Sequence, residues 1–180
     1  MARLFEPFAA RARLGPQPDL ADVVEAIRAM PYRRPNDPTP AGVISEWAGT
    51  CSTKHALLWQ LVHERFPRAT CRLVHRVYRV TPELARTRFG SAAATAVPPE
   101  GLVDVHTYAT IDCDGRSAIV DATFAGGPRW DGRSDMPLAC GAGTDYDAGE
   151  DALSTKAALV DFYCDPAVRE PFIAALGKRR

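Results

Sequence analysis

The sequence predicts an α+β fold, and three observations carry that class. Two early segments repeat apolar residues at helical spacing, at 19–30 and 52–66. Three strand-like segments follow, two of them joined by Asp-Gly. Two further helices close the chain. Helices and antiparallel strands are therefore segregated rather than alternating. The 180 residues suit a single domain spanning 1–180, with its core at roughly 45–125 and C-terminal helices over 154–177.

Residues 19–30 (DLADVVEAIRAM) align Leu20, Val23, Val24, Ile27 and Met30, with Asp19 as N-cap. Residues 31–42 carry four prolines and predict an irregular connection. From Ser52 to Phe66, Leu58, Trp59, Val62 and Phe66 share one face, widened by Leu57 and Leu61. So apolar a helix is expected at the centre. Residues 71–80 (CRLVHRVYRV) read as a strand that Pro82 ends. Over 82–101 a short helix, an Ala-rich piece and Pro98-Pro99 read as an excursion from the sheet that covers a site. Residues 103–111 and 117–124 are the clearest strands, with DCDG between them as a hairpin turn. A Gly- and Asp-rich loop is expected over 125–151. One helix is expected over 154–164; another begins at Asp165-Pro166 and stops at Gly177.

Composition narrows the function classes. Basic and acidic residues number 22 each, so no global field favours nucleic acid or an anionic membrane, and neither is predicted as a partner. No apolar run approaches the ~20 residues of a membrane span. The opening MARLFEPFAARARLGPQP lacks the apolar core of a signal peptide, which predicts a cytoplasmic protein. Cysteines 51, 71, 113, 140 and 164 are odd in number, widely spaced and form no CxxC pair. That argues against a disulfide framework and a structural zinc site, and no metal or cofactor is predicted.

Alternation along 103–111 sets Asp104, His106, Tyr108 and Thr110 on one face, leaving Val103, Val105, Thr107, Ala109 and Ile111 for the core. In the next strand Ser117, Ile119, Asp121 and Thr123 share a side. A two-residue loop at Asp114-Gly115 puts His106 diagonal to Asp121, and a four-residue loop puts them opposite. Either register keeps both on one face. Cys51 opens the long apolar helix, where backbone N–H groups point outward. A thiol there, a histidine and a carboxylate are the parts of nucleophilic cysteine catalysis: thiolate, base and orienter. A helix N-terminus and a nearby imidazolium both lower a thiol pKa. The Cys51 N–H is a candidate oxyanion donor, and a second donor is not identified.

Gly49-x-Cys51 before an apolar helix, His106-x-Tyr108 on a strand and Asp121-x-Thr123 on the next together resemble the transglutaminase-like superfamily. That group includes arylamine N-acetyltransferases, peptide N-glycanases and stand-alone bacterial cysteine peptidases. The resemblance covers roughly residues 45–125. It implies a Cys-bearing central helix packed on an antiparallel sheet, as in papain-like enzymes, with Cys51 as nucleophile, His106 as base and Asp121 as orienter. It also implies a thioacyl intermediate from a small-molecule or peptide acyl substrate. Hydrolysis is expected over cross-linking, because the chain is short. Two departures stand out: His55 occupies a position where the family usually has a small residue or Asn, and His-Thr-Tyr replaces His-Ala-Trp.

Trp47 reads either as a wall of the site or as core. Tyr108 is a candidate substrate contact. Lys54 is a candidate contact for a substrate carboxylate, with a solvated lysine as the plainer reading. His55 is expected as a buried, hydrogen-bonded ring. The alternative functions are a binding module that keeps the fold without catalysis, and a metalloprotein using Cys51, His55 and His106. Arg65, Arg68, Arg72, Arg76 and Arg79 read as a helix end and an edge strand protected by charge. Asp131, Asp135, Asp145 and Asp147 lack calcium-loop spacing.

Overall fold

Element starts follow local capping chemistry. The computed structural model describes residues 3–178. α1 (Phe5–Ala12), for which the sequence predicts no element, is anchored by the Glu64 carboxylate, which accepts from the Leu4 and Phe5 N–H groups at 2.7 and 3.1 Å. α2 (Leu20–Ala29) begins at Asp19 as expected. The Asp19 carboxylate accepts from the Asp22 N–H at 2.7 Å, and Asp22 reciprocates at 3.0 Å. The proline-rich connection ends sooner than expected, because α3 (Pro40–Glu46) starts inside it. Thr39 caps that helix through the Gly42 N–H, and Pro40 takes the first position, where proline's missing N–H costs nothing. α4 (Cys51–Arg65) is the predicted apolar helix, with Leu57, Leu58, Leu61 and Val62 buried.

The strands form one four-stranded sheet in the order β3-β2-β1-β4, from β1 (Ala69–Val80), β2 (Leu102–Cys113), β3 (Arg116–Val120) and β4 (Gly143–Asp147). The α+β class holds. Asp114 and Gly115 both take positive φ, 53° and 75°, and Cys113 pairs with Arg116, which is the two-residue hairpin. β3 stops at Val120, short of the expected 124. β4 lies inside the expected loop. Its GTDYD sequence has weak strand propensity, and its partner holds it: Val74 pairs with Asp147 through to Tyr78 with Gly143. A Cβ on Gly143 would sit 2.2 Å from the Val77 carbonyl oxygen, so only glycine permits that approach. β1 is therefore an interior strand rather than an edge. Arg76 pairs with Asp145 of β4 at 2.7 Å, and Arg68 with Asp114 at 2.5 Å. β2 also departs from the single core face predicted for it, since every residue from Asp104 to Ala109 is buried.

By contact the chain divides into two compact units, with boundaries inside β1 and β2. The first comprises residues up to Leu73 together with Thr107–Leu138, and so holds α1–α4 and β3. The second comprises Val74–His106 and the residues from Ala139 onward. It holds β4 with α5 (Pro82–Phe89), α6 (Ser91–Thr95), α7 (Ala152–Tyr163) and α8 (Pro166–Leu176). The excursion after β1 is thus two helices, and the Asp165 cap and Gly177 stop of α8 are as predicted.

The second unit is organised by buried polar groups. Arg169 of α8 donates to Asp104 at 2.7 Å with both side chains buried, and the Tyr78 hydroxyl donates to the same carboxylate at 3.4 Å. The His75 Nε2–H donates to the Ala152 carbonyl at 2.8 Å, at the start of α7. Removing one partner of a buried ion pair strands the other charge. Arg169→Ala should therefore cost about 3–5 kcal/mol in chemical denaturation, while the double replacement Asp104→Leu with Arg169→Met should recover most of it. Equal losses in the two variants would contradict this account of the pair.

Candidate functional site

Cys51 is the first residue of α4, and the sequence before it explains why a helix can begin there. The Thr50 N–H donates to Thr53 Oγ1 at 2.9 Å, closing the first turn. Gly49 is clamped by two backbone bonds, donating to the Pro31 carbonyl and accepting from the Arg33 N–H, each at 3.2 Å. A Cβ at Gly49 would lie 2.8 Å from Thr53 Oγ1 and 2.9 Å from Lys54 Cγ. The glycine two residues before the thiol thus lets the incoming chain lie directly against its own helix. Cys51 is 5% exposed.

Two consecutive side chains in that turn bind the segment that carries Asp121. His55 lies in the interior between two backbone groups, the Cys51 carbonyl at 2.7 Å from Nδ1 and the Ala122 N–H at 3.0 Å from Nε2. An amide N–H can only donate and a carbonyl can only accept. The ring is therefore the neutral tautomer with its proton on Nδ1. Lys54 is fully buried, and its ammonium donates to the carbonyls of Thr123 at 2.8 Å, Met30 at 2.7 Å and Arg28 at 3.3 Å. The Ala122 N–H, which a longer β3 would have spent on pairing with β2, is thus used by α4, and α4 takes the Thr123 carbonyl as well. With that N–H taken by His55, the ladder stops at Val120. The Asp121 carboxylate turns back to accept from the Thr123 N–H at 3.1 Å. Thr123 Oγ1 is buried without a hydrogen bond, at a cost of about 1–3 kcal/mol.

The chain beyond Asp121 is pinned to α2. The buried Arg28 guanidinium donates to the carbonyls of Phe124, Gly126 and Pro128 and to Glu25. Arg129 pairs with Asp22 at 2.7 Å and with Asp19 at 3.1 Å, and the Trp130 N–H donates to Glu25. The first part of the predicted loop is therefore an ordered strap. Nothing in its glycines and aspartates foretold this, because the acceptors are its backbone carbonyls.

Electrostatics follow from burial. Loss of water pulls the Lys54 ammonium down to about 7; Asp121 and then Cys51 hold it up, and Arg28 opposes it. A neutral amine has two N–H bonds, so three carbonyl acceptors suit the cation. Burial pushes the Cys71 thiol up to about 12. Burial, and next the Asp104 charge, raise the Cys164 thiol to about 11. Among the described residues no two cysteines are joined by a disulfide.

The predicted site residues are distributed as follows. Cys51 and Asp121 lie in the first unit and are buried, as is Tyr108. His106 lies on β2 in the second unit and is also buried. Trp47 takes φ 51° at the end of α3 and stacks on α1, 5.9 Å from Phe8 with Arg11 over its ring. Lys54 is corrected from a solvated lysine or a substrate contact to an internal clamp, because its side chain is fully buried and all three donors of its ammonium are used. His55 is the expected buried ring. With Nδ1 protonated and Nε2 accepting an N–H, it has no lone pair for a metal, which removes it from the metalloprotein alternative. Among the described residues no group of three or more His, Cys, Asp or Glu is arranged to hold a metal ion. Among them, too, no helix is long and apolar enough to cross a membrane. Arg28 was missed in the sequence, and its place in the last turn of α2 was the available signal.

Comparison with protein-family models, with curated proteins and with solved structures returned no match.

The Lys54 shift has a definite sign. The folded chain releases this proton near pH 7 and the unfolded chain near 10.5, so between those values the unfolded state binds more protons. The lysine's contribution to stability therefore rises with pH across that window. Wild type should gain on Lys54→Met by up to about 1.4 kcal/mol per pH unit above pH 7, read by chemical denaturation at several pH values. A constant difference up to about pH 9 would mean that the three carbonyls hold the proton on.

Proposed function

We propose that this protein is a cysteine-dependent acyl-transfer enzyme of the transglutaminase-like type, working in a reducing cytoplasmic setting on a small-molecule or peptide acyl substrate. Cys51 is the nucleophile, His106 the general base and Asp121 the group that orients the imidazole. His106 takes the thiol proton, and the thiolate attacks the carbonyl carbon of an amide. The tetrahedral oxyanion accepts from backbone N–H at the start of α4. His106 returns the proton to the leaving amine as the C–N bond breaks, and a thioacyl intermediate remains on Cys51. Water, activated by the same histidine, then releases the acid; an amine acceptor would give transfer instead.

The observation that carries this reading is the position of Cys51 at the first residue of a 15-residue helix whose opening turn is bonded to Ala122 and Thr123, the two residues that follow Asp121. The two-residue turn, with Cys113 opposite Arg116, is one of the two registers the reading allows. The low exposure of Cys51 favours a second reading, a module that keeps this arrangement for recognition alone.

Alkylation separates the two. With limiting iodoacetamide at mildly acidic pH, Cys51 should be modified first, well ahead of Cys71 and Cys164. In a screen of amide, peptide and thioester substrates, Cys51→Ala and His106→Ala should each lower turnover on the order of 10⁴-fold or more, and Asp121→Asn somewhat less. Slow or unselective labelling of Cys51, or full turnover by Cys51→Ala, would defeat the catalytic reading.

A further inference from the structure

The geometry points to Lys54 as the positioning residue of the Cys51 site: its buried ammonium fixes the Asp121–Thr123 segment on the opening turn of α4 and counter-charges the thiolate that forms there. This inference rests on the reading of Cys51 as nucleophile.

A lysine with no solvent access is uncommon, and its surroundings decide what it does. The three acceptors come from two places. Arg28 and Met30 present carbonyls from the end of α2, where the last turn leaves such groups without helical partners and the helix dipole favours a cation. Thr123 presents its carbonyl from beyond β3. One charged group therefore ties the negative end of α2 and the Asp121 segment to the helix that starts with the thiol. The titratable groups coupled to it are Asp121 and Cys51, whose negative forms favour its charge, and Arg28, which opposes it. Binding linkage is reciprocal. If an anion at Cys51 favours the Lys54 cation, the cation favours that anion by the same factor. Placement also matters. The segment's backbone is held by Lys54 and by His55, so an error in either would move Asp121 with it.

The test compares folded wild type with Lys54→Met, which keeps the length and apolar body of the side chain and removes the charge. The rate of Cys51 alkylation is followed across pH, and hydrogen exchange is read at the Ala122 and Thr123 amides. The inference expects the labelling midpoint to rise by about one pH unit or more and both amides to exchange at least about tenfold faster. A natively folded Lys54→Met whose labelling profile coincides with wild type overturns it while leaving the nucleophile reading intact. A wild-type Cys51 that labels only in the ordinary thiol range defeats the nucleophile reading instead; the exchange comparison then decides the clamp, and unchanged rates overturn it. Where Lys54→Met does not fold, the coupling is read from the other partner. The Lys54 Nζ titration, followed by ¹⁵N NMR, should move to lower pH in Cys51→Ala, and an unmoved titration overturns the inference.

Discussion

The opening turn of α4 is bonded to the segment just beyond β3, and the arrangement of the first unit depends on that attachment. Two consecutive helix residues make it. His55 takes the Ala122 N–H and Lys54 the Thr123 carbonyl, so a stretch of backbone leaves the sheet and serves the helix. Each bond is made in the interior, where the alternative is an unsatisfied amide or carbonyl at a cost of about 1–3 kcal/mol. The attachment is therefore strong because breaking it exposes groups that no water can reach, rather than because two hydrogen bonds are intrinsically large contributions.

The same turn is electrostatically polarised. The end of α2 meets a buried ammonium, and the start of α4 carries a thiol. Both choices agree with the dipoles of the two helices, cation at a C-terminus and potential anion at an N-terminus. Burial opposes the ammonium, and Asp121 and Cys51 support it. A buried charge held by carbonyls is tolerated where a naked one would not be. Arg28 adds a second cation nearby, with its charge directed instead to the 124–128 carbonyls and to Glu25. The strap beyond Asp121 is thus ordered by guanidinium and ammonium groups acting on main chain.

Much of this was legible in the residues, and the exceptions share a cause. Asp19, Asp165-Pro166 and Asp114-Gly115 announce their structures because capping and turn chemistry are local. The apolar face of α4 announces a buried helix for the same reason. The β3 terminus was not legible, since alternation continues through Phe124 while the backbone is claimed by Lys54 and His55 from far along the chain. β4 was hidden because GTDYD has little propensity of its own and is held by β1. α3 was hidden because its Pro40 reads as a breaker although it sits where proline is favoured. Of the candidate site, Cys51, His106 and Asp121 are the residues that type and spacing single out. They do not single out the work of Lys54, because a lysine on an apolar helix gives no sign that its ammonium will be wholly enclosed.

The state of the His55 ring tests this attachment most directly. Long-range ¹⁵N–¹H NMR correlations of the imidazole at neutral pH distinguish its two nitrogens. The structure requires a protonated Nδ1 and an unprotonated Nε2 that accepts from Ala122. A proton on Nε2 would mean that the Ala122 N–H does not bond to this ring, and that the turn bearing Cys51 is not fastened to the Asp121 segment in the way described.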